Sequence, residues 1–269
     1  SSQNCCGLYH NGMDKMEICN LAKYCVFFAF LLTVCLLFSG CKNQKIKFPE
    51  LIETREDQTV GVLCGNFTIK TRKYLNETST VFFAIPFDFQ TGRPRSSASN
   101  ILFYAPFNGE AGTIRKGLPD WLREIAIREG CSIFTLTIEA DTISVDDHRK
   151  YYIFKESGWH DIVFQIKDFM EERWGLEKRR LFLLGQSSGG SMIQQIATSF
   201  PERIDSAAWH GGSHYRPFCE GMEYPRMLAS NTWGCYGNKP TEEMVKEGQK
   251  LGIDIEHVLV PPEWKGNFS

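Results

Sequence analysis

One stretch constrains this chain more than any other: Arg180-Leu181-Phe182-Leu183-Leu184-Gly185-Gln186-Ser187-Ser188-Gly189-Gly190. It opens as a short apolar run, the pattern of a strand buried on both faces. It continues into Gly-x-Ser-x-Gly. Beyond it Met192, Ile193, Ile196 and Ala197 recur at helical spacing. Strand, tight turn and helix in that order are the setting in which a serine can stand clear of a sheet and attack a carbonyl. Gly185 and Gly189 lack a Cβ, which lets strand and helix close around the bend. The helix start supplies unpaired N–H groups and partial positive charge, which suit an oxyanion. Without that setting, the same residues read as an ordinary Gly/Ser-rich turn.

The rest of the chain supports a sheet around this turn. Asn66 to Arg72 and Thr80 to Phe89 read as an antiparallel hairpin at a sheet edge. From Ile101 the rhythm alternates. Strands are expected at Ile101–Ala105, Ile133–Ile138, Ile204–Trp209, Arg226–Asn231 and Ile253–Val260. Helices are expected at Pro119–Arg128, closed by Gly130, and at Trp159–Trp174, closed by Gly175. In the second, Ile162, Val163, Ile166, Phe169 and Met170 form the apolar face, with Asp161, Lys167, Asp168 and Glu171 facing water. A last helix is expected at Thr241–Leu251, capped by Thr241. The order implies an α/β fold: a mostly parallel central sheet with an antiparallel N-terminal hairpin and helices on both faces. In such sheets the site lies at the carboxyl ends of the strands.

The chain has 269 residues and a formal net charge of −2. That length suits one α/β domain plus a short extra segment, and the mixed charge offers no nucleic-acid surface. The first residues differ from the rest. Residues 1–15 read as upstream of the start, with Met13 or Met16 as the first candidate initiators. Lys23, the apolar run Tyr24 to Phe38, and Ser39-Gly40-Cys41 then follow the order of an export signal. Leu37-Phe38-Ser39-Gly40-Cys41 resembles the bacterial lipobox, which implies lipidation at Cys41. An uncleaved membrane anchor is the alternative. Both place the remainder outside the cytoplasm. Residues 42–59, rich in Lys and Glu, read as a solvated tether before a domain at 60–269.

Six of the ten cysteines lie at or before Cys41. Cys64, Cys131, Cys219 and Cys235 match no zinc spacing. Cys219 and Cys235 bracket a loop and suit a disulfide in an oxidising compartment. Cys131 suits a buried thiol.

The lead-in Trp174 to Arg180, the elbow Gly185 to Gly190 and the order of elements resemble the α/β-hydrolase superfamily, particularly its secreted esterases and peptidase-like members. The resemblance covers residue 60 to the end. It implies a Ser–acid–His triad in that chain order and two backbone oxyanion donors. Ser187 matches the nucleophile. Ser188 matches one donor. The loop Pro106-Phe107-Asn108-Gly109-Glu110 matches the second, with Asn108 where the family often has His. The acid position, after the Arg226–Asn231 strand, holds no carboxylate before Glu242. Asn238 is the nearest counterpart, and Glu242 or Glu243 would need a longer loop. The base position, after Val260, holds no His, which implies either truncation before the catalytic His or its loss. His210 and His214 follow the Ile204–Trp209 strand, as pocket lining or as substitute bases. With Gln186, Phe107, Gly109 and Asn238 they complete the candidate pocket. His257 falls inside a strand, while His160 and His148 read as surface. His210, His214, Cys219 and Glu220 do not form a recognised metal set.

The expected activity is serine esterase chemistry on a small ester or acylated substrate outside the cytoplasm, with no cofactor and no metal. The alternatives are a catalytically impaired binding protein on the same fold, or a structural envelope lipoprotein.

Overall fold

The computed structural model describes residues 51–55, 61–70, 78–106, 117–138, 152–232 and 238–261. Among them are ten strands. β1 is Leu51–Arg55, β2 Val62–Lys70, β3 Thr78–Asp88, β4 Arg93–Pro94 and β5 Ile101–Ala105. β6 is Ser132–Leu136, β7 Leu181–Gln186, β8 Ile204–His210, β9 Arg226–Thr232 and β10 Ile255–Val260. The helices are α1 Asp120–Glu129, α2 Trp159–Trp174, α3 Ser188–Ser199 and α4 Asn238–Lys250.

The strands run in the order β1-β2-β3-β6-β5-β7-β8-β9-β10, with β4 paired to the end of β3. The β1–β2, β2–β3 and β3–β6 pairings are antiparallel. From β6 through β5, β7, β8 and β9 to β10 every pairing is parallel. The chain leaves β5 through α1 to β6 on one side, then returns through α2 to β7 on the other. The order therefore reverses between β5 and β7, and a crevice opens at their carboxyl ends.

The sheet separates two apolar layers. On one face Leu122 and Ala126 of α1 pack on Val62, Cys64, Phe82, Ala84, Tyr104 and Ile133. On the other, α2, α3 and α4 cover Phe83, Phe103, Phe134, Leu183, Ala207 and Met227. β7 shows why the strand alternates. Leu181, Leu183 and Gly185 are buried beneath α3, while Phe182, Leu184 and Gln186 on the opposite face are half-buried.

Four expectations change. The hairpin of β2 and β3 does not close the sheet. β1, inside the stretch read as a tether, pairs antiparallel along β2 from Leu51↔Phe67 to Arg55↔Leu63. Five residues amid charges carry too weak a local pattern, and the partner strand supplies the hydrogen bonds. Lys167 and Glu171 do not face water. They are 7 % and 4 % exposed, joined at 2.5 Å. Glu171 Oε1 also accepts the Arg179 N–H at 3.3 Å, so the pair ties α2 to the approach of β7. Thr241 does not cap α4. The helix starts at Asn238, and Thr241 is buried with its hydroxyl 2.7 Å from Tyr215 Oη. α1 starts one residue after Pro119, which occupies the capping position. Gly130 and Gly175 end α1 and α2 in the left-handed conformation, as the pattern of glycines implied.

Candidate active site

Ser187 sits at the corner between β7 and α3. Its backbone is at φ 52°, ψ −119°, and it is the one non-glycine residue with positive φ among the described residues. Such a conformation costs about 1–3 kcal/mol and persists only where its surroundings over-determine it. Those surroundings are visible. The Ser187 N–H donates to His210 O at 2.7 Å, and Ser187 O accepts the Ser191 N–H at 3.1 Å as the first bond of α3. Below the corner the packing admits only glycine. A Cβ on Gly185 would meet Gly189 O and Ile193 at 2.6 Å. One on Gly189 would strike the Ala105 carbonyl and lie 2.8 Å from Pro106 O. One on Gly190 would lie 2.8 Å from Gly211 O. The helix is thus wedged against the ends of both β5 and β8. Ser187 itself is half-buried rather than sealed in the core.

Ser188 opens α3, so its N–H is one of the first-turn donors with no partner inside the helix. Its side chain is held as well. The Tyr152 hydroxyl donates to Ser188 Oγ at 2.6 Å. Phe107, Asn108 and Gly109 lie outside the described residues, and so does Trp233 to Gly237 beyond β9.

His210 ends β8, opposite Gln186 in register. Its imidazole turns towards β9, with Nδ1 3.0 Å from Ser230 Oγ and Nε2 3.2 Å from Thr232 Oγ1. The Ser230 hydroxyl donates to Trp209 O at 3.1 Å. With its one hydrogen so used, Ser230 Oγ accepts from Nδ1–H, and Nε2 accepts from Thr232. These contacts match the Nδ1–H tautomer. Burial lowers its pKa, disfavouring the charged ring.

The loop after β8 is held by α3. Ser191 Oγ, 1 % exposed, accepts the N–H groups of Ser213 at 3.1 Å and His214 at 3.2 Å. Gln195 Nε2 donates to His214 O at 3.1 Å. Gln194 clamps the Arg216 backbone, donating to its O and accepting from its N–H, both at 2.8 Å. Gly211 and Gly212 take positive φ to make the turn. His214 itself is exposed, its Nδ1 3.0 Å from Ser213 Oγ.

The structure therefore gathers Gln186, Ser187, Ser188 and His210 at one edge of the sheet and places His214 on a loop braced from α3. Asn238 begins α4 with its Oδ1 buried and unpaired. His257 lies in β10, as expected, with a pKa lowered mainly by burial. Glu242, on the exposed side of α4, pairs with Lys246 at 2.6 Å. Cys219 is an exposed thiol, while its suggested partner Cys235 is outside the described residues. Cys131 is half-buried, and desolvation raises its pKa. Cys41 and His148 are likewise outside the described residues. His160 corrects the surface reading: it is fully buried, with Nε2 3.1 Å from Ile153 O.

The sequence reading missed Tyr152 and the trio Ser191, Gln194 and Gln195. The trio shares helical spacing with the apolar residues of α3, so polar residues on a buried face were the available signal.

No protein-family model and no curated protein matches the sequence. Solved structures do match in three dimensions. S-formylglutathione hydrolase FrmB of Staphylococcus aureus superposes with a TM-score of 0.57 at 9 % identity, over 74 % of this chain and 91 % of that one. The poly(3-hydroxybutyrate) depolymerase LpqC of Bordetella parapertussis gives 0.55 at 11 % identity, over 74 % and 83 %. The siderophore hydrolase EstA of Aspergillus nidulans gives 0.54 at 11 % identity, over 76 % and 90 %. The chain has the α/β-hydrolase fold. At these identities the likeness is one of fold. In this fold the β7–α3 corner is a strand-to-helix turn at the carboxyl edge of the parallel strands, in the order the sequence pattern implied.

Proposed function

We propose that this protein is a serine hydrolase that acts on carboxylic esters through an acyl-enzyme at Ser187. The observation that carries the reading is the positive φ of Ser187 on a corner built from glycines. Strain of this kind at a strand-to-helix turn has a use when it lifts a hydroxyl towards a substrate. In the proposed reaction Ser187 Oγ attacks the ester carbonyl carbon while a base takes its proton. The carbonyl π electrons move onto oxygen, and the Ser188 N–H holds that charge. The family resemblance assigns a second N–H to the Phe107–Gly109 stretch, which lies outside the described residues. Collapse breaks the C–O bond as the protonated base returns its proton to the leaving oxygen, releasing the alcohol and leaving an acyl-serine, which water then hydrolyses with the same base. Structural neighbours are named S-formylglutathione hydrolase, ferulic acid esterase and siderophore hydrolase, which supports a hydrolase reading and, by analogy, an ester substrate.

His210 favours a second reading. Both of its ring nitrogens are within hydrogen-bond distance of β9 hydroxyls, which supports a role in tying β8 to β9 over one as the base. A chain with the elbow but without an engaged base would be a catalytically impaired binding protein. A fluorophosphonate probe separates the two. The hydrolase reading expects covalent labelling that disappears in Ser187→Ala. Absence of labelling in the wild type, with the fold intact by circular dichroism, supports the binding protein instead.

A further inference from the structure

We propose that the Ser188 hydroxyl is a third oxyanion donor, aimed by Tyr152; the inference rests on the serine-hydrolase reading. Tyr152 is 0 % exposed, yet its phenol reaches the residue beside the nucleophile and donates to Ser188 Oγ at 2.6 Å. A serine hydroxyl has one hydrogen and two lone pairs. Tyr152 takes up a lone pair, so the Ser188 hydrogen must point elsewhere. Ser188 is half-buried at the start of α3, while Tyr152 is fully buried. The hydrogen is left to the open side, where the Ser188 N–H and the positive end of α3 also gather. A hydroxyl that accepts one bond becomes a better donor of the next. Ser188 thus offers a backbone N–H and a polarised O–H from a single residue.

The placement of Tyr152 is built into the fold. It precedes the 3-10 turn Lys155–Ser157, which leads directly into α2 and packs against α3. Ser157 and Gly158 close that turn onto the Phe154 and Lys155 carbonyls at 3.1 Å. Tyr152 is therefore a positioning residue, and Ser188 is the group that meets the developing charge. The backbone donor survives in Ser188→Ala, so the hydroxyl is tested separately from the N–H.

The experiment compares wild type, Tyr152→Phe, Ser188→Ala and the double variant. The readouts are the second-order rate of fluorophosphonate labelling, kcat and KM on p-nitrophenyl acetate, and Tm. Loss of a full oxyanion donor lowers rate by about 10²–10³. For an auxiliary donor each single variant is expected to acylate about tenfold more slowly, with KM unchanged. The double variant is expected to be no slower than Ser188→Ala, because both changes remove one hydrogen-bond chain. Wild-type labelling rates in Tyr152→Phe, or losses that multiply in the double variant, would overturn the inference and leave the hydrolase reading standing. A wild type that never labels would sink both.

Discussion

At the residue scale, the site is a set of small decisions about which atoms are absent. Gly185, Gly189 and Gly190 are defined by the Cβ they lack, and each would meet a backbone carbonyl. Ser187 is defined by a backbone conformation that few side chains tolerate. His160 is a different kind of decision. It is buried in the layer beneath Phe200, with its Nδ1 unpaired, and Lys155 and Arg216 are the charged groups that act on it. Desolvation comes first among the causes that push its pKa down to about 3, from 6.5. The unfolded chain takes up a proton below pH 6.5 that the folded chain refuses until about pH 3. Stability attributable to this group is present above pH 6.5 and declines by at most about 1.4 kcal/mol per pH unit as pH falls through that window. Urea midpoints measured from pH 7 to pH 4 should fall more steeply in wild type than in His160→Gln. Parallel curves would contradict the assignment.

At the element scale, α2 and β7 are joined by charge as well as by apolar packing. Lys167 and Glu171 face the layer that their helical offsets were expected to avoid. The reason is the segment after Gly175. Arg179 brings its N–H to Glu171, its guanidinium donates to Asn100 Oδ1 at 3.0 Å, and the Glu177 N–H donates to Ser99 Oγ at 2.9 Å. The lead-in to the elbow is held at several points before the strand begins. Removing one member of a buried pair leaves the other charge without its partner and costs about 3–5 kcal/mol. Glu171→Ala should lose about that much in urea titration, whereas Lys167→Met with Glu171→Leu should recover most of it. Equal losses in the single and the double variant would show that the pair is not the source of the cost.

At the scale of the whole molecule, the sheet carries a gradient of protection. β5 and β7 lie at its centre, covered on both faces, with Phe103 at 0 % and Leu183 at 2 % exposure. β10 closes one edge, and Val258 and Leu259 are 45 % and 44 % exposed. Local opening scales with such differences. Native-state hydrogen exchange should find the amides of Phe103 and Leu183 protected longest and those of β10 exchanging first. Early exchange in β7 would contradict a rigid strand beneath the elbow. The same gradient places the strained serine on the firmest part of the sheet. Among the described residues, no helix is long and apolar enough to cross a membrane.

Local pattern sufficed where one residue's chemistry decides one step of the chain. Gly130 and Gly175 mark helix ends because a left-handed terminus suits a residue without a Cβ. The α2 limits and the strand–turn–helix at Ser187 follow from periodicity and glycine spacing, and the alternation of elements implied the parallel sheet. Other features depend on partners far away in the chain. β1 exists because β2 is there to pair with it. Lys167 is buried because Glu171, close at hand, is itself met by Arg179. Thr241 turns inward to Tyr215, and Tyr152 crosses the layer to reach Ser188. His160 loses contact with water because Ile153 and Phe200 close over it. The i,i+4 spacing of Lys167 and Glu171 announces their pairing but not their burial, and the other features have no local period to announce them, since a hydrogen bond between remote residues leaves no trace in the spacing of either. The sequence alone determined where the chain bends and which serine stands at the bend; tertiary structure decided which polar groups surround it, because only folding brings their partners within reach.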